Sequence, residues 1–141
     1  MKSIGFYIEN ANSEQKNLEI YKCLNNLSES KLSKDASLFF NNIDFMSIPP
    51  KFGMFDAHSL WSFTGILVCA SLNNLLKAHN CVNKFKFCYL YDGSDKDLAG
   101  ILFSSSFKVV TTTEEDQKEY YRLTGKKPVL LDKLEDILKE F

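Results

Sequence analysis

Arginine is almost missing from this sequence, and positive charge is nowhere in strong excess. Sixteen lysines accompany one arginine, Arg122, so recognition of an anion by a bidentate arginine fork is hardly possible. The formal net charge is −1. A chain with no net positive field has little to hold the phosphate backbone of duplex nucleic acid or an anionic membrane. The charge balance therefore excludes both as partners bound through bulk charge.

Long apolar runs and disulfide motifs are lacking as well. The longest apolar run, Ile66 to Ala70, is far shorter than the about 20 residues that span a bilayer. The apolar stretch at the amino terminus is interrupted at Glu9, so no signal-peptide core is predicted. No Cys-x-x-Cys pair occurs among the cysteines Cys23, Cys69, Cys81 and Cys88. We expect reduced, buried thiols and a cytoplasmic protein.

Several cofactor and catalytic motifs are absent. Residues 9–13 follow the first predicted strand and read Glu-Asn-Ala-Asn-Ser, with no glycine that would let the backbone approach a pyrophosphate. This argues against a standard NAD or FAD domain. Neither a Walker A sequence nor a G-x-S-x-G elbow occurs, and the histidines and cysteines lack zinc-ligand spacing. We predict no bound cofactor and no metal.

What the sequence does contain is a regular alternation of strand and helix patterns. Its 141 residues, 45% hydrophobic and 25% charged, suit a single domain over 1–141. Strands are predicted at 3–9, 37–40, 66–70, 85–91, 107–112 and 128–131. Helices are predicted at 13–28, 58–63, 72–79, 114–124 and 133–141, and a short helix or turn is predicted at 98–103. The segment 43–55 is predicted to be irregular because Pro49-Pro50 and Gly53 interrupt it.

Capping residues predict where the helices begin. Asp56, Ser71 and Thr113 stand at helix starts, and Asp132 with Glu135 is predicted to cap the last helix. On the helix after Ser71, one stripe is predicted to face the core; it consists of Leu72, Leu75, Leu76 and His79.

Short connections between these elements favour parallel strand pairing with right-handed crossovers. The predicted fold is an open, mostly parallel α/β sheet of the Rossmann-like class, with five or six strands and helices on both faces.

Ligands of such sheets bind outside the carboxyl ends of the strands, near the point where strand order reverses. That rule nominates polar residues after four strands: Glu9, Asn10 and Asn12; Ser71 and Asn73; Asp92 and Ser94; Thr111, Thr112 and Thr113. The alternative is that these residues are local caps and turn formers, since Asx and hydroxyl side chains favour such places.

Two further features point in different directions. His58 follows a long connection and is a candidate general base, although an exposed histidine at a helix start is the simpler interpretation. An exposed apolar patch would instead indicate a non-catalytic interaction scaffold. The candidates for that patch are Phe45, Met46, Phe52, Met54, Phe55 and Trp61.

The order of these segments resembles a known family. Residues 63–71 have the pattern of a strand that ends in small polar residues. Residues 88–92 have the pattern of an aromatic strand ending at Asp92, and residues 107–115 have that of a strand that runs into a thin polar loop. Two predicted helices, which begin after Thr113 and at Asp132, complete this order of strands and helices. Together they resemble the N-terminal Rossmann-like half of GT-B glycosyltransferases, including the phage DNA glucosyltransferase type.

The resemblance implies that Glu9 to Asn12 and the loop around His58 face an inter-domain cleft. It implies binding of a nucleotide-sugar or an acceptor, with His58 or Asp92 as the base that deprotonates an acceptor hydroxyl. Complete enzymes of that family hold the nucleotide-sugar mainly on a second half, which this chain lacks. The missing half is therefore expected to come from a partner chain or a second copy of this chain, unless the domain is vestigial. The composition suits a low-GC bacterium, or a virus whose protein works in the host cytoplasm. A small flavodoxin-like nucleotide binder is the third alternative, after the interaction scaffold.

Overall fold

The computed structural model describes residues 2–30, 35–81, 85–95 and 107–141; the short helix or turn predicted at 98–103 lies outside them. The strands are β1 (Ile4–Ala11), β2 (Ala36–Ile43), β3 (Gly53–Asp56), β4 (Gly65–Cys69), β5 (Phe85–Leu90), β6 (Lys108–Thr111) and β7 (Val129–Leu130). The α-helices are α1 (Gln15–Ser30), α2 (Leu72–His79) and α3 (Glu114–Thr124). Two 3₁₀ helices cover Ala57–Ser62 and Leu134–Glu140.

The seven strands of the described residues form one parallel sheet in the order β3-β2-β1-β4-β5-β6-β7. The predicted Rossmann-like α/β class is confirmed, with one strand more than expected. The additional strand is β3, which begins inside the segment 43–55 that is predicted to be irregular. Its four residues pair with Ser37–Phe40 of β2, so long-range pairing makes a strand where the local pattern predicts none.

Helices cover both faces, as predicted. On one face, which we call the α1 face, α1 and the C-terminal 3₁₀ helix bury Leu24 and Ile137 against β1 and β4. On the other, the α2 face, α2 and α3 bury Leu75 and Tyr120 in a second cluster with Leu67. No helix in the described ranges is both long and apolar enough to cross a bilayer.

A row of aromatic rings crosses the α2 face from the sheet edge inward. The ring of Phe39 lies 5.8 Å from that of Phe55 and 5.1 Å from that of Phe63, measured between centroids. Phe63 continues the row to Phe85 at 6.1 Å. Gly5 of β1 makes room for this row, since a Cβ there would lie 2.7 Å from the Phe39 ring.

Two predicted helix details are wrong. Leu76 is 52% exposed, His79 is exposed as well, and Asn74 is fully buried in their place. With its side-chain amide assigned so that both ends find partners, Asn74 donates to Glu9 Oε2 at 3.1 Å and accepts from the Glu9 backbone N–H at 3.2 Å, which holds α2 in its rotation against β1. Asp132 does not cap the last helix, which is 3₁₀ and begins after Lys133 with no side-chain capping bond.

Candidate functional site

The strand order reverses between β1 and β4, because α1 carries the chain one way from β1 and the later crossovers carry it the other way. A cleft of about 1130 Å³, which we call the main cleft, opens on the α1 face beside this point. Ile20 and Cys23 of α1 form one wall, and Leu134 and Leu138 of the C-terminal 3₁₀ helix form the other. This is the place where open α/β sheets bind ligands.

Four neighbouring strands each contribute a residue to the floor of the main cleft, just beyond their carboxyl ends. These residues are Ala70 after β4, Asp92 after β5, Thr112 after β6 and Asp132 after β7. Oδ1 of Asp92 accepts hydrogen bonds from the Ser94 backbone N–H at 3.0 Å and from its hydroxyl at 2.5 Å. Parallel pairing thus brings two carboxylates and a hydroxyl to one cleft.

The helices that form the walls carry charges of both signs, and many of these pair with one another. Lys22 lies 3.8 Å from Glu19 on α1, and Lys139 lies 3.2 Å from Asp136 on the opposite wall. The Asn26 amide donates to Glu135 at 3.1 Å and joins the two walls. Four lysines line the main cleft against six carboxylates, so the lining has no net positive charge for a phosphate, whereas the strand-end carboxylates and Thr112 provide hydrogen-bond acceptors.

Some predicted site residues lie elsewhere than the sequence indicates. Glu9 and Asn10 lie inside β1, and Thr111 lies inside β6 and is fully buried. Only Asp92 and Thr112 of the predicted residues line the main cleft. β1 is longer than predicted because its polar end still pairs with β2, where Asn10 lies opposite Asn42.

Other predicted residues have local structural roles. Asn12 Oδ1 accepts from the backbone N–H of Glu14 and from the Asn17 amide, which holds the turn before α1. Ser71 caps α2 by accepting from Asn74 N–H at 3.2 Å. Asn73 is exposed on α2, and the hydroxyl of Thr113 caps α3. For Asn12, Ser71 and Thr113 the interpretation as caps and turn formers fits the structure.

His58 lies on the opposite face of the sheet from the main cleft. Its Nδ1 is 2.5 Å from Asp56 Oδ1, and its side chain is 95% exposed. The His58 backbone N–H, and then its imidazole, lower the pKa of the Asp56 carboxyl. The pair borders a groove of about 250 Å³, the side groove, which Tyr7 and Lys77 also line.

A polar network lies at the inner end of the side groove. The Tyr7 hydroxyl donates to Asn41 Oδ1 at 2.8 Å, and the Asn41 amide donates to Glu9 Oε2 at 2.6 Å. Lys77 lies 3.7 Å from the same carboxylate. The polar groups of this network therefore pair with each other, and the structure separates the two predicted catalytic residues, His58 and Asp92.

The residues of the predicted apolar patch also differ in their environment, since some are buried and others are exposed. Phe52 is buried, and Met46 and Met54 pack against the core of the α1 face. Phe45 and Phe55 remain 73% and 43% exposed. Trp61, which is 52% exposed, also has a contact with its surroundings.

Three of the four cysteines are buried, and Cys81 is partly exposed. Burial raises the pKa of Cys88 to about 12, and it raises the pKa of Cys81 as well. All four are free thiols, as the sequence predicts, and none is poised as a nucleophile.

The sequence does not predict one of the carboxylates at the strand ends of the main cleft, that of Asp132. Asp132 follows a predicted strand, as Asp92 does, and the strand-end rule selects it once it is not assigned as a cap. Comparison with other proteins adds nothing to this geometry: no family model, curated protein or solved structure matches the chain.

Proposed function

We propose that the main cleft binds a hydroxyl-rich ligand, namely the sugar of a glycosyl acceptor or of a nucleotide-sugar. The observation that carries this proposal is the convergence of Asp92, Thr112 and Asp132 at the carboxyl ends of β5, β6 and β7. Carboxylates accept hydrogen bonds from sugar hydroxyls and repel phosphate. The volume of about 1130 Å³ is large enough for a sugar with a nucleoside or a second sugar.

The acceptor is the better supported of the two ligands. Residues 9–13 hold no glycine, and the Glu14 carboxylate stands just before α1, so the start of this helix is poorly suited to a phosphate. This agrees with the resemblance to a GT-B half, in which a partner domain or chain would hold the nucleotide-sugar. In this role Asp92 is the base that takes the proton of the acceptor hydroxyl, since His58 lies on the other face. The four free thiols suit a reducing compartment such as the cytoplasm.

The experiment is a thermal-shift titration against sugars, nucleotide-sugars, nucleotides and flavins. A ligand at 100 times its Kd adds about 2.7 kcal/mol to the free energy of unfolding, which raises Tm by several degrees in a chain of this size. We expect a shift with a sugar or a sugar-nucleotide that Asp92→Asn and Asp132→Asn each abolish. Asp44→Asn is the matched control, because Asp44 is exposed and does not line the main cleft.

Two results would contradict the proposal. If no ligand of the panel shifts Tm, the main cleft does not bind a sugar. If a shift in Tm survives both substitutions, the ligand binds elsewhere on the molecule. A response to flavins alone would favour the flavodoxin-like alternative.

A second function, a protein-interaction scaffold, is supported by a separate observation. Large apolar side chains remain exposed at Ile43 (60%), Phe45 (73%) and Phe55 (43%). Exposed apolar surface is the usual mark of a protein partner. A co-purification that depends on these residues and not on Asp92 would favour this alternative.

A further inference from the structure

Both walls of the main cleft carry aliphatic side chains. Ile20 and Cys23 lie three residues apart on α1 and therefore face the same way. Leu134 and Leu138 line the opposite wall, and both are only partly buried against the core, so they keep apolar surface for a ligand. Because removal of apolar surface from water favours binding, the walls favour a ligand that has an apolar part.

No aromatic ring lines the main cleft in the described part of the chain, although aromatic residues make up 13% of the sequence. Proteins commonly hold planar rings such as nucleobases by stacking them on aromatic side chains. The apolar part of the ligand is therefore expected to be aliphatic rather than a nucleobase or a flavin.

The polar floor and the aliphatic walls follow one another along the main cleft. Asp92, Thr112 and Asp132 lie beyond the carboxyl ends of their strands, at the edge of the sheet where α1 begins. α1 runs from this edge back toward the start of β2, so Cys23 lies farther from the carboxylates than Ile20 does. A hydrogen bond joins the two walls and holds their spacing. One end of a ligand would thus meet groups that bind hydroxyls, and its other end would meet aliphatic surface.

The charge of the lining indicates what kind of sugar derivative fits. Six carboxylates against four lysines give the lining a net negative charge, which repels an anionic head group and an anionic membrane surface. We propose that the ligand of the main cleft is an uncharged sugar with an aliphatic aglycone, bound as a dissolved molecule rather than from a bilayer. This inference rests on the proposed sugar-binding function and narrows its ligand class.

The test is isothermal titration calorimetry with the methyl and hexyl glycosides of glucose, galactose and mannose, below the concentrations at which they form micelles. A CH₂ group that is fully buried on binding lowers Kd about fourfold. The hexyl glycoside should bind about tenfold or more tightly than the methyl glycoside, even where the cleft leaves its chain partly in water. Hexan-1-ol, which lacks the sugar, should bind more weakly than the hexyl glycoside.

Variants locate the two parts of the ligand. Leu138→Asn should reduce the advantage of the hexyl glycoside about fivefold, because it places an amide on the aliphatic wall. Asp92→Asn should raise the Kd of both glycosides alike. Leu76→Asn is the matched control, since Leu76 is exposed on α2 and does not line the main cleft; it should change neither Kd. Leu134→Asn replaces the wall variant if circular dichroism shows that Leu138→Asn does not fold.

The outcomes separate this inference from the function on which it rests. If neither glycoside binds, the sugar-binding function fails and the inference fails with it. If both glycosides bind with equal Kd, or if the hexyl advantage survives both wall variants, the sugar site stands and the inference is overturned. Sedimentation with phosphatidylcholine vesicles that carry octadecyl glycosides tests the source of the ligand. Binding to these vesicles as tight as to the hexyl glycoside would overturn the assignment to a dissolved molecule.

Discussion

At the scale of single residues, Gly5 shows how a small side chain positions large ones. A Cβ at this position would lie 2.7 Å from the ring of Phe39 and 3.3 Å from that of Phe63. The Phe39 ring is only 2% exposed and is held between its neighbours in the aromatic row, so it has little room to move. Glycine at position 5 therefore allows rings rather than a helix to cover this part of β1.

Gly5→Ala is expected to lower the free energy of unfolding by about 1–3 kcal/mol, the usual cost of overpacking a core. Gly53→Ala is the matched control, since a Cβ there also lies 2.7 Å from a ring, that of Phe55. The Phe55 ring is 43% exposed and can turn away, so we expect a change within about 0.5 kcal/mol. Urea unfolding with an unchanged m value measures both. Equal losses in the two variants would contradict the argument.

Single residues also show why the site is predicted only in part. Asp92 and Thr112 follow strands whose ends are clear in the sequence, and both line the main cleft. Glu9 and Asp132 carry the same chemistry, but their roles depend on distant neighbours. Glu9 of β1 binds Asn74 of α2, and no local sequence pattern pairs residues this far apart in the chain. Asp132 matches a capping pattern that the 3₁₀ geometry of the last helix does not use.

At the scale of elements, one carboxylate connects the end of β5 to the start of α2. Asp95 Oδ2 accepts from the Leu72 backbone N–H at 2.9 Å and also from the Tyr89 hydroxyl. Burial, and then the bond to Asp95, raise the pKa of Tyr89. The turn after β5 is thereby held at the helix start, next to the cap formed by Ser71.

Asp95→Ala should cost about 1–3 kcal/mol of unfolding free energy, because it leaves the buried Tyr89 hydroxyl and a helix N–H without this acceptor. Tyr89→Phe is the companion variant, and the double variant should cost less than the sum of the two. Urea unfolding of all three variants measures this coupling. Additive costs would mean that the two side chains do not depend on each other.

Elements differ in how far the local sequence determines them. The caps at Asp56, Ser71 and Thr113 are confirmed, since each accepts from a backbone N–H nearby in the chain. β3 is missed because its strand state depends on pairing with residues of β2 that lie sixteen positions earlier in the sequence. α2 is eight residues long, too short for its apolar spacing to fix its rotation against the Glu9–Asn74 contact.

At the scale of the whole molecule, the α/β class and the parallel sheet follow from the alternation of patterns and the handedness of crossovers, and both are confirmed. The position of the main cleft follows from the order of strands rather than from any motif. The two faces fill differently: five of the six tyrosines are buried, and four of these five pack on the α2 face.

Those buried tyrosines make the stability of the fold depend on alkaline pH. Burial raises the pKa of Tyr7, Tyr89, Tyr91 and Tyr120, and it raises that of Tyr21 to about 12. A group whose pKa is higher in the folded state contributes stability that is complete below its unfolded value, about 10, and is lost as the pH rises beyond it. Above about pH 10 we expect the tyrosinate absorbance to rise and the circular dichroism signal to fall over the same pH range. Tyr121→Phe removes the ionisable hydroxyl of the exposed sixth tyrosine, so that the tyrosinate absorbance reports the buried five. Full ionisation of these five rings while the circular dichroism stays native would show that the packing of the α2 face does not keep them neutral.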